Sequence, residues 1–358
     1  MNNIGKCIIW KAGIAALLRF CTCLFFAMTS SLVAKSQTDS VAFCVISYNV
    51  ENLFDCRHDS IKDDTEFLPE SVRHWNYVKY RKKLDNLSRA IVASGQWETP
   101  ALVALCEVEN DSVLRDLTKY SALRELDYRY VMTHSSDVRG IDVALLYQRG
   151  LFKPIARQDI VIPMPTKRSR PTRDILYVSG LLLNGDTLDV FVCHFPSRSA
   201  GAKRTESYRM NAARRLKVSV DSVMNSRQYP QIIIMGDFND YPTDSSIQYI
   251  LKDDREDGKL GLHHLLLHKA MEDKDYGSYK YQGWWGLLDH IIISANMLDS
   301  GAPLSIDKNG GEVVRLPFLL VSDNKYGGLQ PYRTYYGMKY QGGYSDHLPV
   351  RAVFKLRY

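Results

Sequence analysis

Apolar residues recur along most of this chain at the spacings typical of strands and helices. Short β-rich runs predict strands at 43–49, 101–106, 128–133, 141–147, 175–183, 187–194, 231–236, 289–294 and 350–356. Helical spacing predicts helices at 76–94, 110–119 and 205–224, the first with Leu84, Leu87 and Ile91 on one face. Strands and helices therefore alternate irregularly, as in a mixed α/β chain.

The turn Asn184-Gly185-Asp186 separates two of the predicted strands. Such a short Asn-Gly connection is typical of a β-hairpin, so part of the sheet is expected to be antiparallel. Many antiparallel strands with interspersed helices indicate layered sheets covered by helices, and disfavour a doubly wound parallel fold.

The first 36 residues have the pattern of a signal peptide. Lys6, Lys11 and Arg19 precede an apolar run at 20–34, and Ala34-Lys35-Ser36 offers small residues for cleavage. The run is about fifteen residues long, shorter than the roughly twenty of a spanning helix, although an uncleaved anchor is the alternative. We expect a signal peptide at 1–36, a mature domain at 37–358, and a monomer exported to the periplasm or the cell exterior without stable membrane association.

Removal of the signal peptide changes the charge balance. The chain has 46 Lys and Arg against 40 Asp and Glu, but four of the basic residues lie in 1–36, which leaves a net charge of +2. Bulk charge then gives no argument for a polyanionic partner. A nucleic-acid contact would have to be local, at the run 167–173 or at the cluster Arg198, Lys203, Arg204 and Arg209, and solvated loops are the simpler interpretation of both.

Polar residues that a buried strand does not need stand at the ends of several predicted strands. They are Asn49, Glu51 and Asn52; Glu107; His194; Asp237 and Asn239; Asp289 and His290; and Asp346 and His347. Several carboxylates gathered without partners would be costly, and a divalent cation removes that cost. Carboxylates and histidines at converging strand ends therefore suggest metal-assisted attack on phosphorus.

These strand ends belong to six short motifs that occur in a characteristic order. The motifs are Tyr48-Asn49-Val50-Glu51-Asn52, Leu105-Cys106-Glu107-Val108-Glu109, Val192-Cys193-His194-Phe195-Pro196, Met235-Gly236-Asp237-Phe238-Asn239, Leu288-Asp289-His290-Ile291 and Tyr344-Ser345-Asp346-His347-Leu348-Pro349. In order and spacing the mature chain resembles the endonuclease/exonuclease/phosphatase (DNase I-like) superfamily. The resemblance implies a four-layer α/β sandwich, with two central mixed, largely antiparallel sheets flanked by helices.

The resemblance also implies a metal site. Glu107 is expected to be the principal ligand, assisted by Asn49, Glu51 and Asp346. Magnesium prefers oxygen ligands and keeps several waters, so one or two carboxylates and the substrate phosphate suffice. The cysteines of the mature chain show no zinc spacing, and we therefore expect Mg²⁺ or Mn²⁺. A solvent-facing loop position is the alternative for Glu51.

Roles for the remaining polar residues follow from the same resemblance. Asp237 and Asn239 would orient the attacking water and the phosphate, His347 paired with Asp289 would act at the phosphoryl centre, and His194 would bind or protonate near the leaving group. Either His347 or Asp237 could take the proton from water, and the sequence leaves both open.

Three other residues near the motifs are expected to be structural. Strand alternation beside Asp289 is expected to expose His290, His134 is expected in a loop, and Asn52 could simply close a turn.

Three functions remain compatible with the sequence. We expect an exported, metal-dependent phosphoesterase, most readily a nuclease or phosphodiesterase whose phosphate-ester substrate is a nucleic acid. The alternative is a phosphatase or phospholipase-like hydrolase acting on phosphoinositides, sugar phosphates or phosphosphingolipids, and the third is a non-catalytic binding domain. Specificity would reside in the segments 55–82, 279–286 and 324–344, whose aromatic residues could stack on bases or sugars, or could only pack the loops onto the domain.

Overall fold

Two β-sheets lie face to face in the computed structural model of the chain, which describes residues 39–164, 170–252 and 261–358. Residues Ser40–Tyr358 form one compact unit. The predicted signal peptide and residues 167–169 of the basic run lie outside the described residues, whereas Arg173 of that run is buried and donates to the Phe195 carbonyl. The domain boundary at 36/37 thus stays a prediction.

The described strands vary from two to fourteen residues in length. In chain order they are β1 (Ser40–Leu53), β2 (Leu102–Val108), β3 (Arg129–Met132), β4 (Asp142–Tyr147), β5 (Phe152–Ile160), β6 (Ile175–Leu182), β7 (Thr187–His194), β8 (Ile232–Asp237), β9 (Leu262–His264), β10 (Tyr279–Tyr281), β11 (Trp284–Gly286), β12 (Asp289–Ser294), β13 (Leu304–Ser305), β14 (Gly311–Val313), β15 (Leu320–Ser322), β16 (Leu329–Pro331), β17 (Tyr335–Tyr336), β18 (Lys339–Tyr340) and β19 (Val350–Arg357).

The two large sheets have related topologies. The first, with seven strands, has the order β13-β19-β1-β2-β4-β3, and β14 also pairs with β19; the second, with six, has the order β5-β6-β7-β8-β12-β9. Within each sheet one central pair is parallel, β1 with β2 and β7 with β8, and the remaining pairs of the described strands are antiparallel. The expected mixed, largely antiparallel sheets are confirmed, including the hairpin between β6 and β7.

Helices cover the outer faces of the sheets. They are α1 (Tyr77–Ser94), α2 (Asp111–Lys119), α3 (Ala202–Ser226), α4 (Ser245–Leu251) and α5 (Leu267–Glu272). Asn76 and Asn110 cap α1 and α2, each accepting a hydrogen bond from a main-chain N–H in the first turn. No helix among the described residues is long and apolar enough to cross a membrane.

The uninterrupted apolar run of β8 results from burial of both strand faces. Ile233 and Met235 join the main core, which β1 and β2 share, whereas Ile232 and Ile234 pack with Leu216 of α3 in a second cluster. Because successive side chains point to opposite faces, a strand covered on both sides needs apolar residues at every position. The arrangement is helix, sheet, sheet, helix, as the four-layer sandwich requires.

The sequence patterns missed β5, a nine-residue strand whose pairing with β6 shifts register between Pro154 and Ala156. It is an edge strand with exposed charged residues and Pro154 near its start, features that protect sheet edges from further pairing. An apolar alternation is therefore absent there. The described cysteines are all free, and Cys44, Cys106 and Cys193 are buried as small apolar residues.

Candidate active site

The polar strand ends of both sheets converge at one edge of the sandwich. Strand register brings them together: in the second sheet His194 pairs with Asp237 across the parallel β7 and β8, and Asp289 of β12 pairs with Asp237 from the other side. Asn49 of β1 and Glu107 of β2 come from the first sheet. Asp237 is thus central, with a histidine and a carboxylate as its strand neighbours.

Asn49 connects the two sheets. Its side-chain amide donates to Asp237 Oδ2 at 2.9 Å and to Glu107 Oε1 at 3.3 Å, while its Oδ1 accepts the main-chain N–H of Glu51. The hydroxyl of Ser345 donates to the Asn49 carbonyl. A buried amide that donates to two carboxylates holds them at a fixed separation and lowers the cost of their proximity.

The backbone is left-handed at four of these strand ends. Glu51, Asn52, Glu107 and Asn239 have φ values of 51°, 53°, 68° and 51°. Such conformations cost non-glycine residues about 1–3 kcal/mol each and often occur at functional sites. One consequence is visible at Asn52, whose main-chain N–H donates to Glu107 Oε2 at 2.9 Å, so that this turn also orients the Glu107 carboxylate.

His347 and Asp289 form a buried pair. His347 Nδ1 lies 2.7 Å from Asp289 Oδ2, which also accepts a hydrogen bond from the Ser278 hydroxyl, and the Tyr279 ring packs on the imidazole at 4.8 Å. Burial disfavours charge on His347, but the carboxylates of Asp289 and Asp237 outweigh it and raise the pKa of the imidazole. His347 is therefore held protonated at neutral pH.

His194 has the opposite character. Its Nε2 lies 3.7 Å from Asp237 Oδ2 and 3.9 Å from Glu107 Oε1. Burial, followed by the charge of Arg173, lowers the pKa of this imidazole well below its ordinary value. The neutral ring with its proton on Nε2 suits two carboxylate neighbours. His347 Nε2 also lies 3.9 Å from Asp237 Oδ2. One neutral and one protonated histidine thus face Asp237.

Asp237 lies between His194 and His347. Burial, and then the neighbouring Asp289, raise the pKa of its carboxyl group, although His347 and Asn49 oppose the shift. The N–H of Asn239 donates to Asp237 Oδ1 at 2.8 Å, and the Asn239 side chain donates to the Phe195 carbonyl at 3.1 Å. Asn239 therefore orients Asp237 through its backbone.

Glu51 and Asp346 lie next to the residues described above, and other parts of the chain occupy carboxylate oxygens of both. The Glu51 carboxylate accepts the main-chain N–H groups of Thr334 and Tyr335 at 2.6 and 3.2 Å. Asp346 Oδ2 lies 3.0 Å from the guanidinium of Arg333. Of the predicted metal ligands, Glu107 is thus the one whose carboxylate faces the His194 and Asp237 side chains.

Sequence reasoning missed Lys83, which is buried in α1 below these carboxylates. Its ammonium donates to Thr334 Oγ1 and to the Tyr344 carbonyl, at 2.5 and 2.6 Å. Burial lowers the pKa of Lys83, and Glu51, Asp346 and Glu107 oppose that shift by their charge. A lysine on the apolar face of a predicted helix was the only signal in the sequence.

Two expectations about charged side chains are corrected. His290 is buried rather than exposed, because β12 is covered on both faces; it bonds His264 at 2.7 Å and the Asp240 carbonyl at 2.9 Å. Arg209 of the proposed basic cluster is also buried, with its Nε 2.6 Å from Asp240 Oδ1, and Arg198 pairs with Asp244. These two arginines are structural cations here.

His134 lies in a loop, as expected. It is exposed, and its Nε2 is 3.3 Å from a carboxylate oxygen of Asp111.

Two carboxylates and one histidine lie close enough to share a cation. Ligand atoms of Asp237, Asp289 and His347 all lie within 4.8 Å of one another. His347, however, is already paired with Asp289 and positively charged, which opposes binding of a metal to its ring. Oxygen ligands from Glu107 and Asp237 fit a hard divalent cation better.

A sequence model described as the endonuclease/exonuclease/phosphatase family matches residues 44–356. No curated protein sequence matches the chain.

Several solved structures share the fold. A D. rerio TDP2 humanized by 14 mutations is 16% identical with a TM-score of 0.53, and the match covers 87% of this chain and 98% of that one. The human nocturnin catalytic domain with bound sulfate is 17% identical, with a TM-score of 0.52 and coverage of 89% and 97%. A Bacteroides thetaiotaomicron mannosyl-6-phosphatase is 15% identical, with a TM-score of 0.52 and coverage of 87% and 99%. At these identities the likeness establishes the fold alone.

Proposed function

Because the chain belongs to the endonuclease/exonuclease/phosphatase family and is thereby a hydrolase of phosphate esters, we propose that it is an exported, Mg²⁺- or Mn²⁺-dependent phosphodiesterase of the nuclease type. The observation that carries the proposal is the bridge from Asn49 to Glu107 and Asp237, flanked by His194 and His347. This arrangement places two carboxylates, a neutral histidine and a protonated histidine around one small volume, and attack of water on a phosphate requires such groups.

The donor set fits a divalent cation. Glu107 and Asp237 offer carboxylate oxygens held by Asn49, and the partly exposed Glu107 leaves room for water and a substrate oxygen. A buried oxygen of Asp289, Oδ1, has no hydrogen-bond partner among the described residues, a further sign of unbalanced negative charge. When bound, the cation would offset charge on the non-bridging oxygens of the phosphate.

One residue of the chain is proposed to take up the proton that the attacking water releases. Water oxygen forms a new bond to phosphorus while the ester P–O bond breaks, and the bonding electrons remain on the leaving oxygen. Asp237 is the proposed acceptor of the water proton, because it is the carboxylate that both histidines face. The protonated His347 is poorly suited to that role.

Both histidines are proposed to hold the phosphate. The His347 imidazolium donates a hydrogen bond to a non-bridging oxygen, and Asp289 fixes its ring orientation. His194 donates from Nε2 near the leaving oxygen, which gains its proton from solvent. Neither histidine has to change its charge state between the free and the bound enzyme.

A substrate panel tests the proposed activity. Purified protein 37–358, supplied with magnesium or manganese, is assayed against plasmid DNA, RNA, a generic phosphodiester, and inositol and sugar phosphates. The proposal expects hydrolysis of nucleic acid and of the generic diester. Release of phosphate from the monoesters without any cleavage of diesters would replace it with a phosphatase, and inactivity on the whole panel would contradict both.

A further inference from the structure

A pocket of about 260 Å³ opens beside the candidate active site. It lies between the β10–β11 hairpin and the segment 323–336, two of the segments in which the sequence analysis placed specificity. Four of the twelve residues in its wall are tyrosines, and they are Tyr279, Tyr281, Tyr326 and Tyr336.

The pocket and the catalytic residues share two contacts. Tyr279, at the inner end of the pocket, packs against the His347 ring at 4.8 Å. Arg333, also in the lining, lies 3.0 Å from Asp346, the residue next to His347. A group bound in the pocket would therefore lie close to a phosphate held by His347.

The shape of the pocket is fixed by a tight turn. Gln282 and Gly283 both have positive φ, 49° and 90°, as a two-residue hairpin turn of type I′ requires. A Cβ on Gly283 would lie 3.1 Å from the Cβ of Tyr326, so the turn rests closely on that tyrosine. The wall formed by Tyr326 is thereby held in place.

Two charged residues of the pocket lining, Lys280 and Asp323, already have hydrogen-bond partners within the protein. Lys280 lies 2.9 Å from Asp323 and donates to the Gly327 carbonyl at 2.8 Å. Asp323 also accepts the main-chain N–H groups of Lys325 and Tyr326. Asp323, the carboxylate of the lining, therefore has little capacity left for the hydroxyl groups of a sugar.

Aromatic surface and two cations, of which Arg333 is shared with Asp346, are among the groups that stay accessible to a ligand. Tyr281, Tyr326 and Tyr336 are 62%, 44% and 45% exposed. Lys325 and Arg333 lie near the faces of Tyr326 and Tyr336, at 5.0 and 5.7 Å from the ring centroids. Flat rings with nearby cations are suited to stacking on a nucleobase and attracting the adjoining phosphate.

We propose that this pocket binds one unpaired nucleobase of the nucleotide adjoining the scissile phosphate, which makes single-stranded nucleic acid or a short nucleotide diester the substrate class. The inference rests on the proposed phosphodiesterase function and extends it. A base inside a duplex is stacked on both of its neighbours and has to leave the helix before it can enter a pocket, so the pocket favours single strands.

The test compares two substrates that differ only in their bases. A single-stranded oligothymidylate and an abasic oligomer of equal length are cleaved by wild type and by the double variant Tyr326→Ala/Tyr336→Ala. The variant should lose about tenfold or more in kcat/KM on oligothymidylate, the scale of stacking on one base, and should change little on the abasic oligomer. Tyr326→Phe/Tyr336→Phe keeps the rings and should retain the wild-type rate.

Exposed tyrosines outside the pocket provide the matched control. Tyr120→Ala/Tyr358→Ala removes two aromatic rings, 61% and 54% exposed, and should leave both rates unchanged. Equal losses on the two oligomers, or no loss on either, would overturn the pocket proposal while the phosphodiesterase function stands. A hexose 6-phosphate is assayed with the same variants, and a loss confined to it would overturn the nucleobase proposal and assign the pocket to a sugar instead. If wild type cleaves neither oligomer, the proposed function fails and the pocket proposal fails with it.

Discussion

At the scale of single residues, His347 and Asp289 should act as one unit. Asp289 orients the imidazole and keeps it charged, so loss of either partner removes the same stabilised cation. We predict that His347→Ala lowers turnover by about two to three orders of magnitude, the usual range for loss of one positioned hydrogen-bond donor to a charge that develops in the transition state, and that Asp289→Asn produces a related loss. The double variant should be little worse than the worse single variant. Steady-state kinetics of the three variants measures this, and multiplicative losses would show two independent roles.

The same histidine should make stability depend on pH. The neighbouring carboxylates raise the pKa of His347 to about 10, against about 6.5 in an unfolded chain. A folded-state pKa above the unfolded value means that the stabilisation is complete below pH ~6.5 and is lost as the pH rises towards 10. Denaturant unfolding in chelator should therefore show the difference in free energy between wild type and His347→Gln shrinking from pH 6 to pH 10. A constant or growing difference would contradict the raised pKa.

The sequence identified most site residues, because a polar side chain at the end of an apolar strand is conspicuous. Asn49, Glu107 and Asp237 were recognised in this way. Their contacts were not, since a hydrogen bond from Asn49 to Asp237 joins residues 188 positions apart. Lys83 could not be predicted for the same reason. Its partners Thr334 and Tyr344 are 251 and 261 positions away in the sequence, and the helix pattern does not indicate them.

At the scale of elements, α1 and the end of β1 hold the segment 333–344 against the site. Glu51 accepts the N–H groups of Thr334 and Tyr335, and Lys83 donates to Thr334. We predict that Glu51→Ala exposes the amides of Thr334 and Tyr335 to faster hydrogen exchange and costs about 1–3 kcal/mol, the scale of buried groups left without partners. Glu51→Gln, which keeps an acceptor, should cost less. Unchanged exchange at both amides in Glu51→Ala would show that the segment is held by other contacts.

The predicted boundaries agree with the structure for amphipathic helices and for strands that are buried on both faces. The helix expected at 76–94 is Tyr77–Ser94, and the strand expected at 231–236 is Ile232–Asp237. The short strands β15 to β18 were not predicted, because two or three residues carry too little periodicity to distinguish a ribbon from a loop. Two of these strands, β16 and β17, contribute residues to the lining of the proposed nucleobase pocket.

At the scale of the whole molecule, export is the prediction least dependent on the fold. The basic start, the apolar run at 20–34 and the small residues before position 37 predict cleavage near Gln37. N-terminal sequencing of the protein from its native host should yield a chain beginning near Gln37, outside the cytoplasm. An intact Met1 on a cytoplasmic protein would contradict this prediction.

The proposed hydrolytic mechanism requires a divalent cation at Glu107 and Asp237. The decisive measurement is the initial rate of hydrolysis of a generic phosphodiester by exhaustively chelated protein 37–358, before and after addition of magnesium or manganese, in wild type and in Glu107→Gln. We predict no activity in chelator, recovery in the wild type on addition of either metal, and little recovery in the variant, because the amide removes the charge that binds the cation. Full hydrolysis by the chelated wild-type protein would contradict the metal-dependent mechanism.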